Sequence, residues 1–445
     1  MKIEQFEDKG LAHFSYAVMS EGEMAIIDPA RNPQPYYEYA MLHDARIVAV
    51  VETHPHADFV SSHREISQTK EASVYASRLT GANYTHTPFD DGDFFRVGEL
   101  TLQAINTPGH SPDSICVLVL DNKNKPRALF SGDTLFIGDV GRPDLREDSG
   151  HTTSNRKELA RAMYQSTREK LLVLPDDVLL YPTHGAGSLC GKGISNAHSS
   201  TMGAEKQTNA ALQPMTEDAF VDFLLADQPF VPLYFPFDVE LNKKGAPFYK
   251  ESIGAVPHLT PDTVLAKNTL VLDTRPAAAF RKCHLPGSIN LHDGLKFETW
   301  LGTIISPKES FYMITANKEA RELLISKTAK IGYEQNIAGV LVKLPAITAE
   351  TSPELDVADF KNNPESYTVI DIRNRREVQE KPIFPKSLNL PLPELRQLLD
   401  NIPTNKPIMV HCAGGYRSAI GSSIIAAHIK NQPVYDLGEV IQTFS

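Results

Sequence analysis

His54, His56 and Asp58 place three metal-capable side chains within five positions, in the run Thr53-His54-Pro55-His56-Ala57-Asp58-Phe59. Imidazole nitrogens and carboxylate oxygens are ordinary ligands of divalent transition metals, so this spacing points to coordination chemistry rather than to a polar loop. Three later positions offer the same ligand types: His110 after Thr107-Pro108-Gly109, Asp133 after Ser131-Gly132, and His184 in Pro182-Thr183-His184-Gly185. A different chemistry stands near the C-terminus, in His411-Cys412-Ala413-Gly414-Gly415-Tyr416-Arg417-Ser418. A cysteine in a short glycine-containing loop ahead of a helix is set up as a nucleophile. Backbone N–H groups, the helix N-terminus and the Arg417 charge all favour a thiolate or a bound sulfur anion.

The elements around these residues must hold them at strand ends. Arg46–Val51 is a continuous apolar run and predicts a buried strand leading straight into the first motif. Residues 13–19 and 24–28 predict earlier strands, and 100–105, 115–120 and 127–130 later ones, with Asp28-Pro29 and Asp90-Asp91-Gly92-Asp93 as turns. His110 then follows a Pro-Gly turn, Asp133 follows a strand, and His184 follows the run Leu179–Pro182. Four strand-end loops, each with a ligand-type side chain, are what α/β-type sheets use to carry chemistry. Ser62 and Glu65 predict a capping box on a short helix, with His63 on its surface. Residues 199–212, with Lys206, predict a helix-containing cover over the pocket, and Thr216–Leu225 a closing helix. Cys116, inside an apolar strand, is expected simply to be packed. The proline-rich stretch 229–262 reads as linker and interdomain packing.

Beyond it the chain repeats at a period of roughly 100 residues. Leu270-Val271-Leu272-Asp273-Thr274-Arg275 returns as Val369-Ile370-Asp371-Ile372-Arg373, and His284–Asn290 returns in weaker form as Phe384–Asn389. Each unit reads strand, Asp-x-Arg, helix, which predicts α/β units with a parallel sheet. Aligning Arg321 with Arg417 puts Ala316 opposite Cys412, so the first copy lacks the sulfur nucleophile. Cys283 is expected to be structural.

In order and spacing, His54-x-His56-x-Asp58, His110, Asp133 and His184 resemble the metallo-β-lactamase superfamily. Both repeats resemble rhodanese domains, and the whole chain resembles bacterial persulfide dioxygenase–rhodanese fusions with an inactive central repeat. The resemblance implies an α/β and α+β multidomain chain. An αββα sandwich over 1–240 would be followed by rhodanese-like α/β domains with parallel sheets, inactive over 255–347 and active over 348–445. It implies a mononuclear non-haem Fe2+ held by His54, His110 and Asp133. Two-metal hydrolases of the superfamily draw a second-site ligand from position 59, and Phe59 has no lone pair to give. His56, Asp58 and His184 then become supporting or pocket groups. Gly138–Asp144 resembles the GRxD segment of these dioxygenases, which makes Arg142 a candidate for holding an anionic substrate or orienting a ligand. Cys190, in a glycine-rich loop, is a candidate for relaying or gating sulfur, with an inert thiol as the alternative.

The activity implied is oxidation of a coenzyme A or glutathione persulfide by O2 to sulfite. Sulfur transfer through Cys412, beside Arg417, would then give thiosulfate and so detoxify sulfide. The alternatives are a glyoxalase II-like thioester hydrolase and a sulfur carrier or sensor without turnover. Totals set the frame. With 445 residues, 41% hydrophobic and 22% charged, the chain predicts a multidomain globular protein. A net charge of −11 without a basic stripe excludes a general nucleic-acid binder. Four cysteines fit a reducing cytosol. With no export signal or membrane-length apolar run, a cytoplasmic protein is expected, self-association into a homo-oligomer being left open.

Overall fold

The computed structural model describes residues 1–145, 155–344 and 349–444. The chain divides into two compact units, Met1–Ser252 with Ala329–Gly332, and Ile253–Thr328 with Tyr333–Ser445. Residue 240, taken from sequence as the end of the first domain, falls inside the helix Phe235–Lys244. The division expected at 347/348 lies outside the described residues.

In the first unit one six-stranded sheet runs Lys2–Asp8, His13–Ser20, Glu23–Ile27, Arg46–Val51, Ser73–Ala76, Thr87–Pro88 in spatial order. A second runs Phe94–Val97, Leu100–Asn106, Ile115–Leu120, Pro126–Gly132, Leu179–Pro182, Ser200–Thr201. The strand period of two divides the apolar residues between two faces. Phe14, Tyr16 and Val18 meet Leu102, Val117 and Phe130 between the sheets. Met24, Ile26 and Val50 pack outward against Tyr36 and Ala40 of helix Gln34–Leu42 and Ile66 of helix His63–Lys70. Leu118, Leu129 and Leu180 pack outward against Met163 and Phe220, on helices Arg156–Gln165 and Glu217–Leu225. The layers are therefore helix, sheet, sheet, helix. Each Val, Leu, Ile, Phe or Met among these side chains stabilises the unit by about 1.5–3 kcal/mol when fully buried.

Within each sheet one parallel pair sets the site. Glu23–Ile27 runs parallel to Arg46–Val51, and Pro126–Gly132 parallel to Leu179–Pro182. Their C-terminal ends deliver Asp28, the run Glu52–Asp58, Asp133 and His184. The two sheets are joined there: the Ile115 amide donates to the Thr53 carbonyl at 2.9 Å and the Phe14 amide to that of Thr183 at 2.7 Å.

The stretch 229–262, expected as linker and interdomain packing, is partly helical. Helix Phe235–Lys244 carries Pro236 in its first turn, where a missing N–H costs nothing. Nearby, the Tyr249 amide donates to Glu65 Oε2 at 2.6 Å. That contact takes the carboxylate required for the expected capping box, and Ser62 Oγ turns to the Ala30 carbonyl at 2.6 Å. Helix Met202–Thr208 is a brace rather than a lid. Gly138 N–H donates to Glu205 at 2.9 Å, while Lys206 points away, to Asp176 and the Leu174 carbonyl.

The second unit holds two wholly parallel sheets. One has five strands in the order His258–Leu259, Ile337–Leu341, Phe311–Ile314, Leu270–Asp273, Ile289–Asn290. The other has four: Leu388–Asn389, Thr368–Asp371, Ile408–His411, Val434–Asp436. The repeat extends to individual hydrogen bonds. Arg275 forks onto Asp273 and reaches the Cys283 carbonyl at 2.7 Å, as Arg373 forks onto Asp371 and reaches that of Lys381 at 3.0 Å. Asn290 Nδ2 donates to the carbonyls of Asp273 and Arg275, and Asn389 Nδ2 to those of Asp371 and Arg373, all at 2.9 Å. Among the described residues no helix is long and apolar enough to cross a membrane.

Candidate metal centre

His54, His110 and Asp133 converge, with one ligand atom from each within 4.8 Å of the others, and all three are buried. Asp133 Oδ2 lies 3.6 Å from His110 Nε2 and 4.0 Å from His54 Nε2. Both imidazoles have their tautomer set from behind. His110 Nδ1 donates to the Arg142 carbonyl at 2.8 Å. Thr53 Oγ1 donates to Asp28 Oδ2 at 2.8 Å, so at 3.1 Å it accepts from His54 Nδ1. In each case Nε2 keeps the lone pair that faces Asp133. The carboxylate is likewise divided: Oδ1 accepts from His184 Nδ1 at 2.8 Å, while Oδ2 is buried without a hydrogen-bond partner. An orphaned carboxylate oxygen facing two imidazole lone pairs is a donor set that fits a divalent cation. Two glycines allow this proximity. A Cβ on Gly141 would collide with the Asp133 carbonyl oxygen, and one on Gly132, at φ +53°, would meet Thr53 Oγ1 at 2.7 Å.

The other ligand-type residues of the motif are elsewhere. Asp58 Oδ2 lies 2.8 Å from His184 Nε2, so His184 bridges two carboxylates. Burial alone would lower its pKa, yet Asp133 and Asp58 hold it well above the ordinary imidazole value. Burial also opposes ionisation of Asp133, but His184, His110 and His54 keep it well below the carboxylate range. His56 turns away from Asp133, toward Asp28 and Glu52. Phe59 fills the space beside it, its ring between those of His13 and His56 with centroids at 3.8 and 4.3 Å.

Arg142 is fully buried and forks onto Asp144, with both nitrogens at 2.7 Å, while Nη1 donates to the Leu189 carbonyl. Its guanidinium is thus engaged within the fold, and what reaches the metal centre is its backbone carbonyl. Cys190 lies beside Asp58 and His184, and burial, with the carboxylates of Asp58 and Asp133, pushes its thiol well above the ordinary value. Such a thiol is the opposite of a reactive thiolate. Cys116 is packed as expected, its pKa pushed up to about 11 by burial.

His63 is a correction: it is fully buried rather than on a surface, and burial depresses its pKa to about 3. Two positioning residues left no signal in the sequence. Asn242 Nδ2 donates to the carbonyls of both His56 and Phe59 at 2.8 Å, and its Oδ1 accepts from the Ser61 amide at 2.8 Å. Tyr234 donates to the Asp58 carbonyl at 3.2 Å.

In the second unit Cys412 is buried at the end of strand Ile408–His411, and the Gly415 amide donates to its sulfur at 3.1 Å. Arg417 opens helix Tyr416–His428 but forks onto Glu377 at 2.6 and 2.7 Å. Its charge is therefore largely balanced before it reaches the sulfur. Ala316 occupies the matching strand-to-helix junction of the other repeat, between Phe311–Ile314 and Lys318–Ala329.

Residues 8–184 match the family described as the metallo-beta-lactamase superfamily. A crystal structure of a metallo-beta-lactamase from Staphylococcus aureus subsp. aureus COL is 32% identical, covers 77% of this chain and 98% of its own, and superposes with a TM-score of 0.68. Human mitochondrial persulfide dioxygenase ETHE1 is 30% identical over 168 residues, 36% of this chain and 59% of that protein. A Schizosaccharomyces pombe protein named as probable hydroxyacylglutathione hydrolase glo2 is 32% identical over 165 residues, 36% of this chain and 58% of that one. The chain therefore spans less than two thirds of the length of these curated relatives.

Proposed function

The chain belongs to the metallo-beta-lactamase superfamily, and within it we propose that the protein is a persulfide dioxygenase coupled to sulfur transfer. The observation that carries this reading is the grouping of His54, His110 and Asp133 beside a phenylalanine at position 59. Two imidazoles and one carboxylate suit non-haem Fe(II) oxygen chemistry; mononuclear zinc hydrolases use the same donor set, but Phe59 removes the second-ion ligand on which binuclear hydrolases of the superfamily depend. The similarity to human persulfide dioxygenase supports the same choice. Bound iron would supply O2 activation and a soft acceptor for the terminal sulfur of a coenzyme A or glutathione persulfide.

The chain's own residues would prepare that chemistry. Asp133, ionised through His184, offers an anionic ligand, and the Arg142 carbonyl and Thr53 hydroxyl aim the two imidazoles. The burial of all three ligands excludes bulk water from the donor set. One persulfide, O2 and water give the thiol, sulfite and protons. In the second unit, which we read as an inactive and an active rhodanese-like repeat, Cys412 would take the outer sulfur of a second persulfide and release its thiol. Sulfite would then remove that sulfur as thiosulfate and return the Cys412 thiolate. The Gly415 N–H is placed to stabilise the anionic sulfur.

The test is O2 uptake by anaerobically iron-loaded protein given persulfides of coenzyme A and of glutathione. Iron-dependent uptake with sulfite formation is expected, continuing with sulfite accumulating in Cys412→Ser. Protein that binds no iron and consumes no O2 with either persulfide refutes the reading. A second reading, a thioester hydrolase, is favoured by the 32% identity to the fission-yeast protein. Thiol release from an acyl-glutathione without O2 would support it instead.

A further inference from the structure

Behind the loop that carries His54, a second set of ligand-type side chains is closed off from solvent. Asp28 ends strand Glu23–Ile27, Glu52 ends strand Arg46–Val51, and His56 stands on the loop; their exposures are 1%, 2% and 0%. One ligand atom from each lies within 4.8 Å of the others. His56 Nε2 is 3.1 Å from Asp28 Oδ1 and 3.6 Å from Glu52 Oε2. These separations bracket about 3.4 Å, the edge of a tetrahedron whose corners lie about 2.1 Å from a central ion.

Pairing accounts for the arrangement only in part: an imidazolium at His56 would pair with Asp28 Oδ1 at 3.1 Å, which leaves Glu52 Oε2 and the other ring nitrogen unanswered. His56 Nδ1 and Glu52 Oε2 are buried without a hydrogen-bond partner, and His56 Nε2 meets Asp28 Oδ1 away from good hydrogen-bond alignment. Folded proteins leave few buried polar atoms in that condition. Both carboxylates are also held by donors of the fold, including Asp28 Oδ1, the oxygen that faces His56. Ser61 Oγ donates to Glu52 Oε1 at 2.6 Å, the Thr53 amide to Asp28 Oδ1 at 2.8 Å, and Thr183 Oγ1 to Asp28 Oδ2 at 2.9 Å. That is how carboxylates are fixed around an ion. His63, also with both ring nitrogens unpartnered, stands with Nδ1 3.6 Å from Glu52 Oε1.

We propose that Asp28, Glu52 and His56 form an inner site for a divalent metal ion of the zinc class, separate from His54, His110 and Asp133. Two carboxylates with a neutral imidazole match the charge of one divalent ion. The few ligands and the dry surroundings suit zinc, which accepts low coordination, rather than calcium or magnesium, which demand six or more oxygens. Such an ion would tie two strand ends to the loop that presents His54.

The test counts zinc in the full-length chain, loaded anaerobically and freed of loose ion by gel filtration. Zinc that survives in His110→Ala and is lost in Glu52→Gln is expected, two equivalents in the wild type falling to one in each variant. Anomalous diffraction at the zinc edge of wild-type crystals gives the same answer without a variant, as a peak among Asp28, Glu52 and His56. A wild type whose zinc disappears entirely in His110→Ala overturns the proposal. So does a Glu52→Gln variant that keeps both equivalents, or an anomalous peak confined to His54, His110 and Asp133.

Discussion

Replacing Asn242 by alanine tests whether the metal-facing loop is held by helix Phe235–Lys244. The buried amide makes three hydrogen bonds, to the carbonyls of His56 and Phe59 and from the amide of Ser61, each at 2.8 Å. Alanine leaves all three backbone groups buried and unsatisfied, at about 1–3 kcal/mol each. Taking the low end for each group, because a water could enter the space, gives a loss of about 3 kcal/mol. For a unit of this size 1 kcal/mol shifts the melting temperature by about 2–4 °C, so calorimetry should record a fall of about 6–12 °C. The same loop presents His54, and losing its support should weaken metal affinity by about 10–100-fold in a chelator competition. Asn242→Asp keeps the acceptor for Ser61 but loses both donors and sets a carboxylate against two carbonyls. It should be no more stable than the alanine variant. An alanine variant that melts within about 2 °C of wild type, with unchanged metal affinity, would refute the reasoning.

Three further outcomes are expected. Phe59→His restores a lone pair next to Asp58 and His184, so metal analysis should find one more equivalent per chain than in the wild type. Glu377→Gln removes the partner of Arg417 and leaves its positive charge facing Cys412; alkylation by anionic iodoacetate should accelerate more than by neutral iodoacetamide. The same pair gives a pH dependence. Burial opposes ionisation of Glu377, but Arg417 holds it below the ordinary glutamate value, so the stabilisation is present above that value and is lost as pH falls through the depressed one. Acid titration of the wild type should therefore show a loss of stability in the second unit that Glu377→Gln lacks, and identical curves would remove the pair from the account.

The residues of the candidate metal centre were legible because each sits where a short-range pattern is decisive. An apolar strand followed at once by His54, Asp133 or His184 fixes both the element and the end of it that carries the side chain. The repeat was legible for the same reason, since Asp-x-Arg pairs close their own hydrogen bonds two residues apart. Burial of polar groups was not legible. His63 follows a serine pair and opens a polar helix, and only Glu52, arriving from another strand, explains why it is inside. Proline density made 229–262 look like linker and interdomain packing, although Pro236 sits where a helix tolerates it. Arg142 was read as a candidate for holding an anionic substrate or orienting a ligand; Asp144, two residues away, takes its guanidinium, and its carbonyl meets His110. Asn242 touches residues more than 180 positions earlier, which no local spacing encodes.

The short segment Ala329–Gly332 belongs to the first unit although the chain between it and Ser252 belongs to the second. Its Lys330 carbonyl accepts from the Val60 amide at 2.8 Å, one residue past Phe59, and its ammonium pairs with Asp8 at 2.8 Å. During synthesis, therefore, the N-terminal unit cannot reach its final form when residue 252 leaves the ribosome. It must wait, with the Val60 amide unmatched beside the loop that carries His54, until residues 329–332 have been made. Vectorial folding, in which an N-terminal domain is complete before the next begins, is closed to this chain. Completion of the unit that carries His54, His110 and Asp133 is instead timed by translation of the repeat that lacks the cysteine.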